Sequence, residues 1–263
     1  MRLIELNHVL EDGMRAYPGL PSPRVGAFLD HEASRGHYGG EAEFYIGKVD
    51  MVCSLGTYLD SPYHRHRDGA DLSGIPLEKV AALAGIALDG IVASDRSTTA
   101  DCDEGELRDR AVLIRTGWDE RWGTDSYWEP GPYLAPELIE TLIRSGATLV
   151  GVDFHNVDDT TDLRRPAHTR LLAEGILIVE NLCNLAALPR EGFRFYAVPP
   201  RITPGASFPV RAFAEVRERR RLQRAEIQRQ TKGSDTPASD RERSDILIQD
   251  WFERLERADL GEL

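Results

Sequence analysis

Apolar and polar residues follow two periods along this chain, one of strands and one of helices. "MRLIELNHVL" reads as a first strand, closed by the turn "EDG". "YPGLPSPRVGAF" holds three prolines and two glycines and is expected to be irregular. In "EAEFYIGKVDMVCS", Val49, Met51 and Cys53 alternate with Lys48, Asp50 and Val52, which suits a half-buried strand. "PLEKVAAL" predicts a short helix opened by Pro76, and "GIALDGIVA" and "AVLIRTGW" predict strands. In "APELIETLIRSGATLVGVDF", Pro136 opens a helix whose apolar face is Leu138, Ile139, Leu142 and Ile143. Gly146 closes it, and "ATLVGVD" returns as a strand. "RPAHTRLLAEGILIVENL" repeats the plan, with Pro166 at the start, Gly175 as cap and "ILIVE" as strand. Strands outnumber helices and the two are mixed. The expectation is one α/β domain over residues 1–216, with a mixed β-sheet core and flanking helices.

The remaining residues, 217–263, have a different pattern. "RERRRLQRAEIQRQ" is charged throughout and "TKGSDTPASDRERSD" is polar and linker-like. "ILIQDWFERLERADL" sets Leu247, Trp251 and Leu255 on one helical stripe, beside Ile248 and Phe252. This predicts a charged linker and a C-terminal amphipathic helix that docks on a neighbouring subunit or back on its own domain, the neighbour being favoured because the polar linker gives reach. The formal net charge of −12 argues against nucleic acid or an anionic membrane as partner. No apolar run approaches the roughly 20 residues that span a bilayer, and "MRLIELNHVLEDGM" lacks the apolar core of a signal peptide. Three scattered cysteines with no CxxC point to a reducing, cytoplasmic setting.

The candidate chemistry begins in "SLGTYLDSPYHRHRDG". Asp60 and His64 are four apart with Pro62 between them, so the segment bends. The two side chains can converge on one ion, or form a simple pair that pins the loop. His168 lies in the first turn after Pro166, on the same helical side as Leu171 and Leu172, and so faces inward. The positive end of the helix there disfavours an imidazolium, and the neutral ring is the metal-binding form. An inward histidine can equally be a satisfied core residue. Glu180 ends the apolar strand "ILIVE", where a carboxylate needs a cation, either a metal or an arginine such as Arg164 or Arg165.

"LNHVLEDGMRAYPG", "GTYLDSPYH", "VLIRTGWDERWG" and "HTRLLAEGILIVENLCNL" occur here in the order seen in the cyclase family of metal-dependent hydrolases. That family includes bacterial kynurenine formamidases and isatin hydrolases, and the resemblance covers roughly residues 1–216. It implies a cyclase-like fold of the swivelling β/β/α type. The family motif reads His-x-Gly-Thr-His-x-Asp-x-Pro-x-His. This chain keeps Gly56, Thr57, Asp60, Pro62 and His64 but has Ser54 and Tyr58 in place of the two leading histidines. In the family those histidines and the aspartate hold one metal. The aspartate, with the His and Glu that match His168 and Glu180, can hold a second. The last motif histidine, here His64, is assigned to proton transfer.

The resemblance therefore implies a site holding about one divalent ion, zinc or manganese, with Asp60, His64, His168 and Glu180 as ligands. Serine is a poor ligand, and Tyr58 would coordinate only as a phenolate, whose free pKa is about 10. His64 and Tyr58 are the candidate catalytic groups, His64 for proton transfer and Tyr58 as a hydrogen-bond donor to substrate. The implied activity is arylformamidase-like cleavage of a C–N amide bond in a small-molecule substrate, by a homo-oligomer (dimer or tetramer). Two other readings remain: a metal-poor small-molecule-binding protein, and a lactone or ester hydrolase. Trp118 and Trp122 are candidates for an aromatic wall or for plain packing. His66 reads as part of a solvated strip and Cys53 and Cys183 as core residues, while His155 follows a strand without an obvious partner. No Gly-x-Ser-x-Gly elbow or glycine-rich phosphate loop is present.

Overall fold

The structure is a computed structural model and describes residues 1–216. The linker and amphipathic helix expected at 217–263 lie outside the described residues. In chain order the elements begin with β1 (Arg2–Glu5), β2 (Arg24–Leu29), the one-turn helix α1 (His31–Ser34), β3 (Ile46–Asp50) and β4 (Tyr58–Asp60). Then come β5 (Leu83–Val92), β6 (Ser97–Ala100), α2 (Glu104–Leu107), β7 (Ala111–Arg115) and β8 (Tyr133–Leu134). The chain continues through α3 (Pro136–Ser145), β9 (Leu149–Val152), α4 (Pro166–Ala173) and β10 (Leu177–Glu180). It closes with β11 (Glu191–Tyr196), β12 (Ser207–Pro209) and β13 (Phe213–Val216).

One mixed sheet organises these elements. Its order is β1-β13-β11-β5-β7-β9-β10-β4-β12, with β6 and β8 attached beside β5. The centre, β5-β7-β9-β10, is parallel, and β4 joins β10 antiparallel. A parallel centre must be covered on both faces, and "AVLI" of β7 shows how. Ala111 and Leu113 enter one apolar cluster, with Leu59, Val179 and Phe195. Val112 and Ile114 enter the other, with Leu138, Ile139 and Leu142 of α3 and Leu171 and Leu172 of α4. The described residues thus form a single α/β domain with helices on one face of a mixed sheet. No helix among the described residues is long and apolar enough to cross a membrane.

The two helix–strand units form where their proline and glycine punctuation places them. Pro136 and Pro166 each occupy the first turn, where a missing N–H costs nothing. Gly146 follows α3 at φ 72°, and its N–H bonds to the carbonyls of Ile143 and Leu142, a left-handed cap that a Cβ would strain.

Three expectations are corrected. The segment around Val49 is not half-buried: β3 pairs only with β2 in a separate two-stranded ribbon, and Val49 is 55% exposed. Alternation marks burial only where a core lies under one face, and this ribbon stands off the main sheet. The second half of "YPGLPSPRVGAF", expected to be irregular, is strand β2. The segment after Pro76 makes only a single 3-10 turn, Leu77–Lys79.

Candidate active site

The site starts with β4, three residues long and held between β10 and β12. Successive strand residues face opposite ways. Leu59 enters the lower core, so Tyr58 and Asp60 face the helix side. The register sets Tyr58 opposite Glu180 and Asp60 opposite Ile178. Tyr58, Asp60 and Glu180 therefore share one face, the face on which α4 packs. Past Asp60 the chain bends at Ser61, and Pro62 opens the 3-10 turn Pro62–His64, which carries His64 back toward the strand. The turn before β4 is fastened from a distant part of the chain, 125 residues away. The Asn181 side-chain amide donates to the Gly56 carbonyl at 2.7 Å, and Gly56 sits at φ +60°.

His168 comes from α4, whose N-terminus is capped from outside by Asp158. The Asp158 carboxylate accepts from Ala167 N at 2.6 Å and His168 N at 3.2 Å. Its Oδ2 also lies 2.7 Å from His168 Nδ1. That bond fixes the ring, leaving Nε2 at 3.5 Å from Glu180 Oε1 and 3.7 Å from Asp60 Oδ2. His64 Nδ1 lies 3.4 Å from Asp60 Oδ1 on the other side. The four expected residues are brought together. Donor atoms of Asp60, His64 and His168 all lie within 4.8 Å of one another.

The electrostatics identify what this group lacks. Asp60 is 0% exposed, and neither of its oxygens has a hydrogen-bond partner. An ionised carboxylate in that state requires a cation, which a protonated His168 ring at 3.7 Å or a bound metal ion can supply. Glu180 is also fully buried, but both its oxygens are used: Val157 N donates to Oε1 at 2.7 Å, and the Tyr58 hydroxyl donates to Oε2. Burial holds the Glu180 carboxyl above its ordinary pKa, with Asp60 adding repulsion. Burial alone would lower His168, but the carboxylates of Asp158, Asp60 and Glu180 raise it well above the usual histidine value. The expected preference for a neutral ring, based on the helix end, is thus reversed by nearer negative charges. No arginine pairs with Glu180 among the described residues. Arg164 pairs with Asp162, and Arg165 bonds Asn156. The chemistry of this donor set, two carboxylates and two imidazoles around an orphaned charge, fits a divalent ion.

Ser54 and Tyr58 are both committed elsewhere. Ser54 Oγ lies 2.8 Å from Ser207 Oγ, and the one Tyr58 O–H is donated to Glu180. Burial and the neighbouring Glu180 and Asp60 raise the Tyr58 pKa well above 10, so it is a phenol and not a phenolate. Tyr58, His64, His168 and Glu180 line a cavity of about 230 Å³.

A larger cavity of about 520 Å³ lies along His8, Trp122 and Trp128 and contains none of the four clustered residues. Size therefore does not locate the chemistry. Trp122 stacks on His8 at 3.7 Å, and Trp118 donates Nε1–H to Tyr127 O at 3.1 Å. Both belong to an aromatic group with Tyr17, Trp128 and His155. Tyr17 also lines the smaller cavity. His66 bonds the Thr169 carbonyl through Nε2 and His155 bonds that of Glu129. Cys183 is buried as expected, whereas Cys53 is exposed. Asp158 was not singled out in the sequence, and no local signal marks it, because the residue at the capping position of α4 is Arg165.

Residues 4–159 match the family model described as "Putative cyclase". A kynurenine formamidase from Salinibacter ruber is 31% identical over 176 residues, which is 65% of this chain and 80% of that protein. A kynurenine formamidase from Bacillus cytotoxicus is 28% identical over 168 residues, covering 64% and 78% respectively. Isatin hydrolase A from Labrenzia aggregata, solved with benzyl benzoate, has a similar fold, with a TM-score of 0.67 at 22% identity over 82% of this chain and 94% of that one. A structure described as a predicted metal-dependent hydrolase from Bacillus stearothermophilus matches with a TM-score of 0.59 at 20% identity, over 81% and 97%.

Proposed function

The chain belongs to the cyclase family, and from that premise we propose that it is a metal-dependent hydrolase cleaving a non-peptide C–N amide bond, arylformamidase-like. The observation that carries the reading is the Asp60 carboxylate, fully buried and unpartnered between two imidazoles. Asp60, His168 and Glu180 would hold one divalent ion, zinc or manganese, with His64 beside it. Such an ion polarises a carbonyl and lowers the pKa of water from 15.7 toward about 7. One ion per chain is supported by Ser54 and Tyr58, which supply no nitrogen donors and whose hydroxyls bond Ser207 and Glu180.

The protein's own groups supply the rest. His64 is the most exposed of the four, with 35% of its side chain accessible, and its Nδ1 faces Asp60. Its Nε2 would take a proton from the water that adds to the carbonyl carbon and hand it to the leaving nitrogen as the C–N bond breaks. Tyr58 donates its O–H to Glu180, so its oxygen is left to accept a hydrogen bond from a substrate N–H, where the sequence suggested a donor. Asp158 fixes the His168 ring. The same reading takes the protein as cytoplasmic and homo-oligomeric. Unpaired cysteines support the first, and exposed apolar residues of the β2–β3 ribbon, Phe28 and Val49 among them, support the second.

The test is hydrolysis of formanilide, an N-formyl aromatic amine, by zinc- or manganese-loaded protein, with an aryl lactone in parallel. Formanilide turnover that a chelator abolishes is expected. Lactone hydrolysis with formanilide untouched would move the assignment to ester bonds. No turnover of either, with tight ligand binding, would make the protein a binding module.

A further inference from the structure

The cavity whose floor carries Glu180 is also lined by Arg165, Arg65 and Asn156, each of which can donate hydrogen bonds. We propose that these three form an anion subsite, and that the substrate carries a carboxylate in addition to its scissile bond. The substrate assignment rests on the hydrolase reading above; the subsite itself does not.

Both guanidiniums are hydrogen-bonded to neutral acceptors, although Arg165 also lies in the field of Asp162. Arg165 Nη1 donates to Asn156 Oδ1 at 3.1 Å. Arg65 donates from Nε to Thr169 Oγ1 at 2.9 Å and from Nη2 to the Arg164 carbonyl at 3.1 Å. Among the described residues neither arginine forms an ion pair, although the adjacent Arg164 pairs with Asp162 at 2.8 Å. A guanidinium has five N–H donors, so each retains part of its fork for a ligand. The Asn156 Oδ1 is taken by Arg165 and by Asp158 N at 3.0 Å. Its side-chain N–H₂ has no partner among the described residues.

The backbone adds an independent observation. Arg165 sits at φ 50°, ψ 61°, in the left-handed region. A glycine or asparagine adopts this conformation readily, whereas a longer side chain does so at a cost. Such strain concentrates at ligand-binding positions. Pro166 follows directly and opens α4, so the strained residue is fixed at the end of the helix that carries His168.

Charge explains what the subsite would achieve. Asp60, Asp158 and Glu180 repel an anion from the floor, and the whole chain carries −12. Two guanidiniums at the cavity would favour an anion against that background. An arginine fork matches a carboxylate in shape and binds it in bidentate fashion. A substrate held by its carboxylate at Arg165 would present another part, its amide, to the floor.

The experiment uses the full chain, metal-loaded, with two probes that differ by one carboxylate: 2-formamidobenzoate and formanilide. Wild-type protein is expected to show a lower KM for the anionic probe, by roughly ten- to a hundredfold, as for hydrogen bonds to a charged group. Arg165→Asn suits the left-handed backbone and removes the charge. It is expected to erase about tenfold or more of that preference, mainly through KM, while Arg165→Lys restores part of it. Calorimetric binding of benzoate to the same proteins reads the subsite without turnover. Benzoate binding that Arg165→Asn removes, with neither formamide hydrolysed, would uphold the subsite and reject the hydrolase reading. Equal handling of both probes by wild type, with no benzoate binding, would overturn the subsite and leave the hydrolase standing. Failure of both benzoate binding and turnover would overturn both.

Discussion

Asp60→Asn is expected to leave the fold intact and to cost roughly a thousandfold or more in hydrolysis, the several kcal/mol that a positioned metal contributes. The expectation follows from the setting of this carboxylate. It is 0% exposed, accepts no hydrogen bond, and lies between His64 and His168. Without a metal its counter-charge is the His168 ring at 3.7 Å, so the variant is compared with wild type first as metal-free protein, to separate loss of that pair from loss of the metal. Wild-type protein should melt higher when zinc or manganese is added, because an ion that binds only the folded state stabilises it by mass action. The variant should lose that increment. A variant that still gains stability from the metal and still turns over would remove Asp60 from the ligand set.

Asp158→Asn is the second substitution with a large expected effect, and it acts through His168. The carboxylate accepts from His168 Nδ1–H at 2.7 Å, which leaves Nε2 to face Asp60 and Glu180. Asparagine can still cap α4 by accepting from Ala167 N, now 2.6 Å from the carboxylate. It can also turn its N–H₂ to Nδ1 and shift the ring proton to Nε2, the wrong tautomer for a ligand. Metal affinity should fall by about ten- to a hundredfold, the usual cost of losing a partner behind a metal-bound histidine. A competition titration against a coloured chelator measures this. Unchanged affinity with a lowered melting temperature would reduce Asp158 to a helix cap.

The sequence exposed this site unevenly, for physical reasons. β7, β9 and β10 are legible as apolar runs, and α3 and α4 are legible from Pro136, Gly146 and Pro166, because these features are local. Asp60 and His64 stand out by their motif, and His168 by sharing a helix side with Leu171 and Leu172. The bonds that decide how the site works are not local. Tyr58 meets Glu180 across 122 residues of sequence and Ser54 meets Ser207 across 153. Both depend on strand register, which the alternation of short strands leaves open. The charge on His168 was misjudged because a helix end is a partial charge, while Asp158 offers a full one at 2.7 Å. The β2–β3 ribbon was misjudged because a period of two does not say whether a core lies beneath.

The most direct measurement is the number of ions per chain at which activity saturates. Metal-free protein would be titrated with zinc and, separately, with manganese, while bound metal by elemental analysis and formanilide hydrolysis are followed together. A single ion per chain, with activity rising linearly and stopping at that equivalence, is the expected result. Saturation at two ions, or full activity with none bound, would contradict a one-metal hydrolase built on Asp60, His64, His168 and Glu180.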